Sequence, residues 1–209
     1  MSDERIVTTP YGEGRILAHR ARRPIATLAL GHGAGGGLGA RDLTALAKRL
    51  PGQDINVFLI EQPYRRAGRK VPPQAKVLDE AWISMLGQLR VRTPLVVGGR
   101  SSGARVACRT ASQLGASGVL ALSFPLHPPG SPGKSRVDEL TGVTLPVFVV
   151  QGERDPFGTP EEFPPLTEMA VVPDADHSFR VPKSAELSQA ETLELVVEAV
   201  LEWVNRTIA

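Results

Sequence analysis

Pro94-Leu95-Val96-Val97-Gly98-Gly99-Arg100-Ser101-Ser102-Gly103-Ala104-Arg105-Val106-Ala107-Cys108 decides how this chain is read. It opens as a short apolar run, passes through paired glycines and enters a stripe of small residues, Ala104, Ala107, Cys108 and Ala111, at helical spacing. The five residues Gly99-Arg100-Ser101-Ser102-Gly103 match G-x-S-x-G, in which a sharp strand-to-helix turn projects a serine hydroxyl from the end of a sheet. The register is fixed, because centring the pattern on Ser102 would require glycine where Arg100 and Ala104 stand. Small residues on the helix let it approach the sheet closely. Its N-terminus then favours negative charge developing near Ser101.

Working outward, residues 6–9 and 15–19 read as two short strands around a Pro10-Tyr11-Gly12-Glu13-Gly14 turn, which is hairpin chemistry. Apolar runs at 26–30, 56–60, 95–97, 119–123, 147–150 and 169–172 read as further strands. Between them lie helical stripes: Leu43, Leu46, Ala47 and Leu50, then Leu78, Ala81, Trp82, Met85, Leu86 and Leu89. Leu193, Val196, Val197, Val200 and Val204 give a C-terminal amphipathic helix. The alternation predicts an α/β three-layer sandwich: a mostly parallel sheet with an N-terminal antiparallel hairpin, covered by helices on both faces. Residues 1–209 are expected to form one domain, and 125–142, rich in Pro and Gly, a loop or a minimal lid.

Composition narrows the function. The formal net charge is +2 over 209 residues, which argues against a dedicated nucleic-acid binder. One cysteine, Cys108, cannot make an intrachain disulfide and is expected to be a buried packing residue. The polar opening Met1-Ser2-Asp3-Glu4-Arg5 is not followed by a signal-like apolar stretch, and no run reaches the length of a membrane span. The expectation is a cytoplasmic protein acting on a small molecule, with no nucleic-acid or membrane partner. No metal-ligand spacing appears, and no cofactor is called for.

In a sheet of this kind a serine nucleophile is followed in the chain by an acid and then by a histidine. His19 and His32 precede Ser101, and His127 precedes any acid that follows the next-to-last strand. His177, in Asp174-Ala175-Asp176-His177-Ser178-Phe179, satisfies the order. Asp155 follows the 147–150 strand in Gly152-Glu153-Arg154-Asp155-Pro156, so its loop lies on the same sheet edge as Ser101. Glu153 is a weaker rival.

Gly31-His32-Gly33-Ala34-Gly35-Gly36 follows the 26–30 strand, where a hydrolase of this order places one N–H of its oxyanion hole. Ala34 and Ser102 are the candidate donors. Gly31, Gly33 and Gly36 also fit G-x-G-x-x-G, with Glu61 ending the next strand as a ribose-binding acid, so a dinucleotide-binding protein is an alternative. A catalytically silent interaction module is another. Arg65 or Arg66, in the basic loop that also holds Arg69 and Lys70, is a candidate contact for an anionic substrate group, and His127 is a second candidate substrate contact.

These segments together resemble the α/β-hydrolase family, and most closely its small, dienelactone-hydrolase-like branch without a large cap domain. Pro63-Tyr64-Arg65-Arg66 and Phe124-Pro125-Leu126-His127-Pro128-Pro129-Gly130 extend the likeness, which runs from about Ile25 onward. The resemblance implies a Ser101–His177–Asp155 triad and no secure substrate. The short 125–142 segment favours an ester or thioester of a small acyl group.

Overall fold

The computed structural model describes residues 2–208, so Met1 of the polar opening and Ala209, the two ends of the expected domain, lie outside the described residues. The elements in order are β1 Ser2–Thr9, β2 Gly12–His19, β3 Ala26–Gly31, α1 Arg41–Arg49, β4 Ile55–Glu61, α2 Pro63–Arg66 and α3 Ala75–Leu86. They continue with β5 Leu95–Arg100, α4 Ser102–Thr110, β6 Gly118–Leu122, α5 Val137–Thr141, β7 Val147–Gly152, β8 Met169–Val172 and α6 Gln189–Ile208. The sheet has the order β1-β2-β4-β3-β5-β6-β7-β8. β1, β2 and β4 pair antiparallel, and every pairing from β4 through β8 is parallel.

β3 and β6 are buried along their whole length, which explains their nearly continuous apolar sequence: a parallel strand covered on both faces has no solvent side to alternate with. Successive residues point to two different cores. On the α1/α6 face, Leu28, Leu30, Leu120 and Leu122 pack with Leu43, Leu46, Val200 and Trp203. On the α3/α4 face the same strands present Ala29, Val119 and Ala121 to Trp82, Ala104 and Ala107. Large side chains thus hold one helical layer off, while small ones let α4 settle onto the sheet. At Gly103 the approach is so close that a Cβ would lie 2.6 Å from the carbonyl carbon of Gly31, nearer than atoms can pack.

Four local expectations are corrected. The hairpin turn is only Pro10-Tyr11: Thr9 pairs with Gly12, and the Thr9 hydroxyl donates to the Gly12 carbonyl at 2.8 Å, so Gly12 to Gly14 belong to β2. α3 ends at Leu86, followed by Gly87, and Leu89 reaches the core from beyond the helix. The stretch 125–142 is not wholly loop but contains α5. The basic segment read as a loop begins with the helical turn α2, where Pro63 occupies the first helical position and its missing N–H costs nothing.

Candidate active site

Ser101 sits between β5 and α4 with φ 53° and ψ −111°. A positive φ at a residue bearing a Cβ costs on the order of 1–3 kcal/mol and persists only where surrounding structure dictates it. Here the fixed points are backbone. Ser101 donates its N–H to the Leu122 carbonyl at 2.9 Å, and Gly99 and Gly103 both press against Gly31.

His177 and Asp155 arrive from the loops after β8 and β7, on the same edge of the sheet. His177 Nε2 lies 3.0 Å from Ser101 Oγ, and His177 Nδ1 lies 2.7 Å from Asp155 Oδ2. A carboxylate can only accept, so Nδ1 carries the proton and Nε2 is left to accept from the serine hydroxyl. Asp155 is fully buried, and its carboxylate accepts two further bonds, from Gln151 Nε2 at 3.0 Å and from the Phe157 N–H at 2.8 Å. Phe157 stacks on the imidazole with ring centroids 4.2 Å apart. Glu153, the rival acid, instead accepts the Asp174 N–H at 2.7 Å and braces the His177 loop.

Ala34 and Ser102 line the same cleft as Ser101. The glycine loop is held from behind. Tyr64 donates its hydroxyl to the Ala34 carbonyl at 2.8 Å. Buried His32 donates from Nδ1 to the Gly33 carbonyl at 2.8 Å and accepts the Gln62 N–H at Nε2, 3.1 Å away. Burial pushes the His32 pKa down, which suits the neutral ring those two bonds require. His32 thus fixes the peptide that carries the Ala34 N–H, and Tyr64 fixes the peptide that follows it.

The remaining expected contacts fall elsewhere. Arg66 pairs with Glu13 at 3.1 Å, and Arg65 donates to the Arg69 carbonyl at 3.1 Å, so neither lines the cleft around Ser101. Both ring nitrogens of His127 are engaged, with the Pro128 carbonyl at 2.9 Å and Glu162 at 2.8 Å, and His127 does not line the cleft around Ser101. The dinucleotide alternative also loses its acid: Glu61 is bound to Arg15 at 2.9 Å, and α1 starts only at Arg41, well beyond Gly36. Cys108 is buried on α4, and burial pushes its thiol up to about 12.

Several functional neighbours were not singled out from sequence. Arg100 donates from one guanidinium nitrogen to the His177 carbonyl and, at 3.0 Å, to Ser178 Oγ, while its Nε lies 3.4 Å from fully buried Asp42. It therefore ties the turn of Ser101 to the loop of His177. On the other side of Ser101, a cleft of about 290 Å³ is lined by Pro73, Pro125, Phe157 and three arginines, Arg105, Arg109 and Arg136. The i,i+4 spacing of Arg105 and Arg109, beside the alanine stripe, is the one sequence signal that could have marked them. No helix among the described residues is long and apolar enough to cross a membrane.

The chain is similar in fold to a lidless α/β serine hydrolase from Xanthomonas campestris, with a TM-score of 0.77 and 18% identity over 99% of this chain and 95% of that one. A dienelactone hydrolase from Anabaena variabilis gives 0.71 with 16% identity, covering 100% of this chain and 99% of that one. A thermophilic esterase from Thermogutta terrifontis gives 0.69 with 15% identity, covering 99% and 100%. In sequence, chondramide synthase from Chondromyces crocatus is 29% identical over 205 residues, 91% of this chain, and the chain spans only 5% of that protein's length. A family model described as "Alpha/beta hydrolase domain" matches residues 24–205, nearly the whole chain, and the chain belongs to that family.

Proposed function

We propose that this chain is a serine hydrolase that cleaves a carboxylic ester or thioester of a small acyl group through an acyl-enzyme on Ser101. The observation that carries the reading is the unbroken hydrogen-bonded line from Ser101 Oγ to His177 Nε2 at 3.0 Å and from His177 Nδ1 to Asp155 Oδ2 at 2.7 Å. His177 takes the hydroxyl proton as Ser101 Oγ attacks the carbonyl carbon. Asp155 stabilises the resulting imidazolium and holds its orientation. The tetrahedral oxyanion is received by the N–H groups of Ala34 and Ser102, for which no protein acceptor is recorded among the described residues. His177 then protonates the departing alkoxide or thiolate. Water, deprotonated by the same imidazole, releases the acid and restores the serine.

The acyl group is expected to be small because the segment between β6 and β7 lines the cleft only through Pro125 and Arg136 and holds no helix longer than the 5-residue α5. A fluorophosphonate probe tests the reading. It should label the wild type and Ser102→Ala but not Ser101→Ala, with the adduct on Ser101 by mass spectrometry. Ester turnover should fall by roughly 10⁴-fold or more in Ser101→Ala. An unlabelled but folded wild type would instead mark a catalytically silent module.

A further inference from the structure

Three guanidiniums share the cleft beside Ser101, and only two carboxylates answer them. Arg105 is held by Glu139 through two bonds, each 2.7 Å. Arg109 is held by Asp79 through bonds of 2.8 and 2.7 Å, and its Nη1 lies a further 3.1 Å from Glu139. Both acids are thereby committed. Arg136 has no carboxylate within 4.0 Å among the described residues, and its recorded side-chain bond is from Nη1 to the neutral Pro125 carbonyl at 3.1 Å. The cleft therefore carries a surplus positive charge in partly buried surroundings. Burial first, and the neighbouring Arg105 second, push the Arg136 pKa down, so the cation is held where its charge is unfavourable.

Position links that surplus to the chemistry. Arg105 stands one helical turn beyond the nucleophile, its N–H donating to the Ser101 carbonyl at 3.3 Å. Phe157, which stacks on His177, lines the same cleft as Arg136. Arg136 is also anchored before any ligand arrives. Its N–H donates to the Leu126 carbonyl at 2.7 Å, and its guanidinium is steadied by Pro125 on the same loop. A planar donor fork fixed in place, lacking a counter-ion and facing a cleft, is suited to a carboxylate or phosphate.

We propose that Arg136, supported by the charge of Arg105 and Arg109, binds an anionic group of the substrate, so that the preferred substrates are esters or thioesters with a carboxylate or phosphate on the part lodged in this cleft. The inference rests on the Ser101 acyl-transfer reading and adds a substrate class to it. Arg65 and Arg66, the basic residues that stand out in the sequence, are not part of this subsite.

The test compares kcat/KM for matched anionic and neutral esters. 4-Nitrophenyl hemisuccinate against 4-nitrophenyl butyrate places the charge on the acyl side. 4-Acetoxybenzoate against its methyl ester places it on the leaving group. The wild type should favour the anionic member of one pair, which identifies the side. Arg136→Gln should lower that ratio about tenfold to a hundredfold, and Arg136→Lys by less. Raising salt from about 20 mM to about 500 mM should lower the wild-type ratio as well, a measurement that needs no variant should Arg136→Gln fail to fold. A ratio at or below one in both pairs, or one indifferent to salt and to Arg136→Gln, overturns the anionic subsite while fluorophosphonate labelling of Ser101 leaves the hydrolase reading standing. No labelling and no turnover of any ester overturns both.

Discussion

Arg100 and Arg105 flank the same serine, one closing β5 and the other on the first turn of α4, yet their surroundings differ in kind. Arg100 faces inward. Its carboxylate partner, Asp42, is fully buried, and the pair meets at 3.4 Å with neither Asp42 oxygen making an aligned hydrogen bond. What Arg100 does bind well is the peptide carbonyl of His177 and the hydroxyl of Ser178. Arg105 faces the cleft, its carboxylate is shared with Arg109, and the group as a whole is one anion short. A buried, balanced pair can only position its neighbours. A half-open, unbalanced one has binding capacity left over.

The largest effect should come from breaking the buried side. Arg100→Met strands the Asp42 carboxylate without its cation, and urea unfolding should show a loss of about 3–5 kcal/mol. Adding Asp42→Asn should recover most of that loss, because the stranded charge is then gone. A double variant no more stable than Arg100→Met would mean that the contacts to the His177 loop, not the ion pair, carry the effect. Ester turnover should stay low in both, since both lack the tie to His177.

Next comes Glu139→Gln on the open side. It leaves two guanidiniums with a neutral partner and should cost about 1–3 kcal/mol. Burial pushes the Glu139 pKa up, but Arg105 and Arg109 outweigh it and the net shift is downward from 4.5. A depressed carboxylate stabilises the fold above its unfolded pKa and loses that contribution as pH falls through the folded value. The gap between wild type and Glu139→Gln should therefore narrow below about pH 4.5. The same variant should raise the anionic-to-neutral ester ratio. A ratio that falls would mean Glu139 orients the arginines rather than restraining their charge.

The smallest effect is the pH slope of Asp42, and its sign is opposite. Burial raises the Asp42 pKa from 3.8, with Arg100 opposing. Here stability is fully present below the unfolded value and declines as pH rises through the folded one, by at most about 1.4 kcal/mol per pH unit. Thermal melts of wild type and Asp42→Asn should diverge in this direction above about pH 4. Parallel profiles would show that Arg100 cancels the burial cost of Asp42.

The difference between the two sides also explains what could be read before any coordinates. The sheet was legible because each parallel strand must fill two cores at once, which forces the apolar runs of β3 through β7 into the sequence. Ser101, Asp155 and His177 were recoverable as candidates because a single sheet edge fixes the chain order of what it gathers. Arg136 was not. Nothing local distinguishes it from Arg65 or Arg66, and its isolation depends on Asp79 and Glu139, from α3 and α5, being spent on Arg109 and Arg105. Asp42 was hidden for a similar reason: an acid in the first turn of α1 looks like ordinary helix chemistry until Arg100 is seen behind it. α5 escaped because five residues give no periodicity to detect.

The lone thiol offers one practical handle. Cys108 is the chain's single cysteine, lies on the helix that Ser101 caps, and is buried, which pushes its thiol up to about 12. A disulfide reagent added to the native protein should meet nothing it can modify, since thiolate is the reacting species. The pace at which colour develops is then a clock for how often α4 lifts away, readable in the same cuvette as turnover and with no label attached.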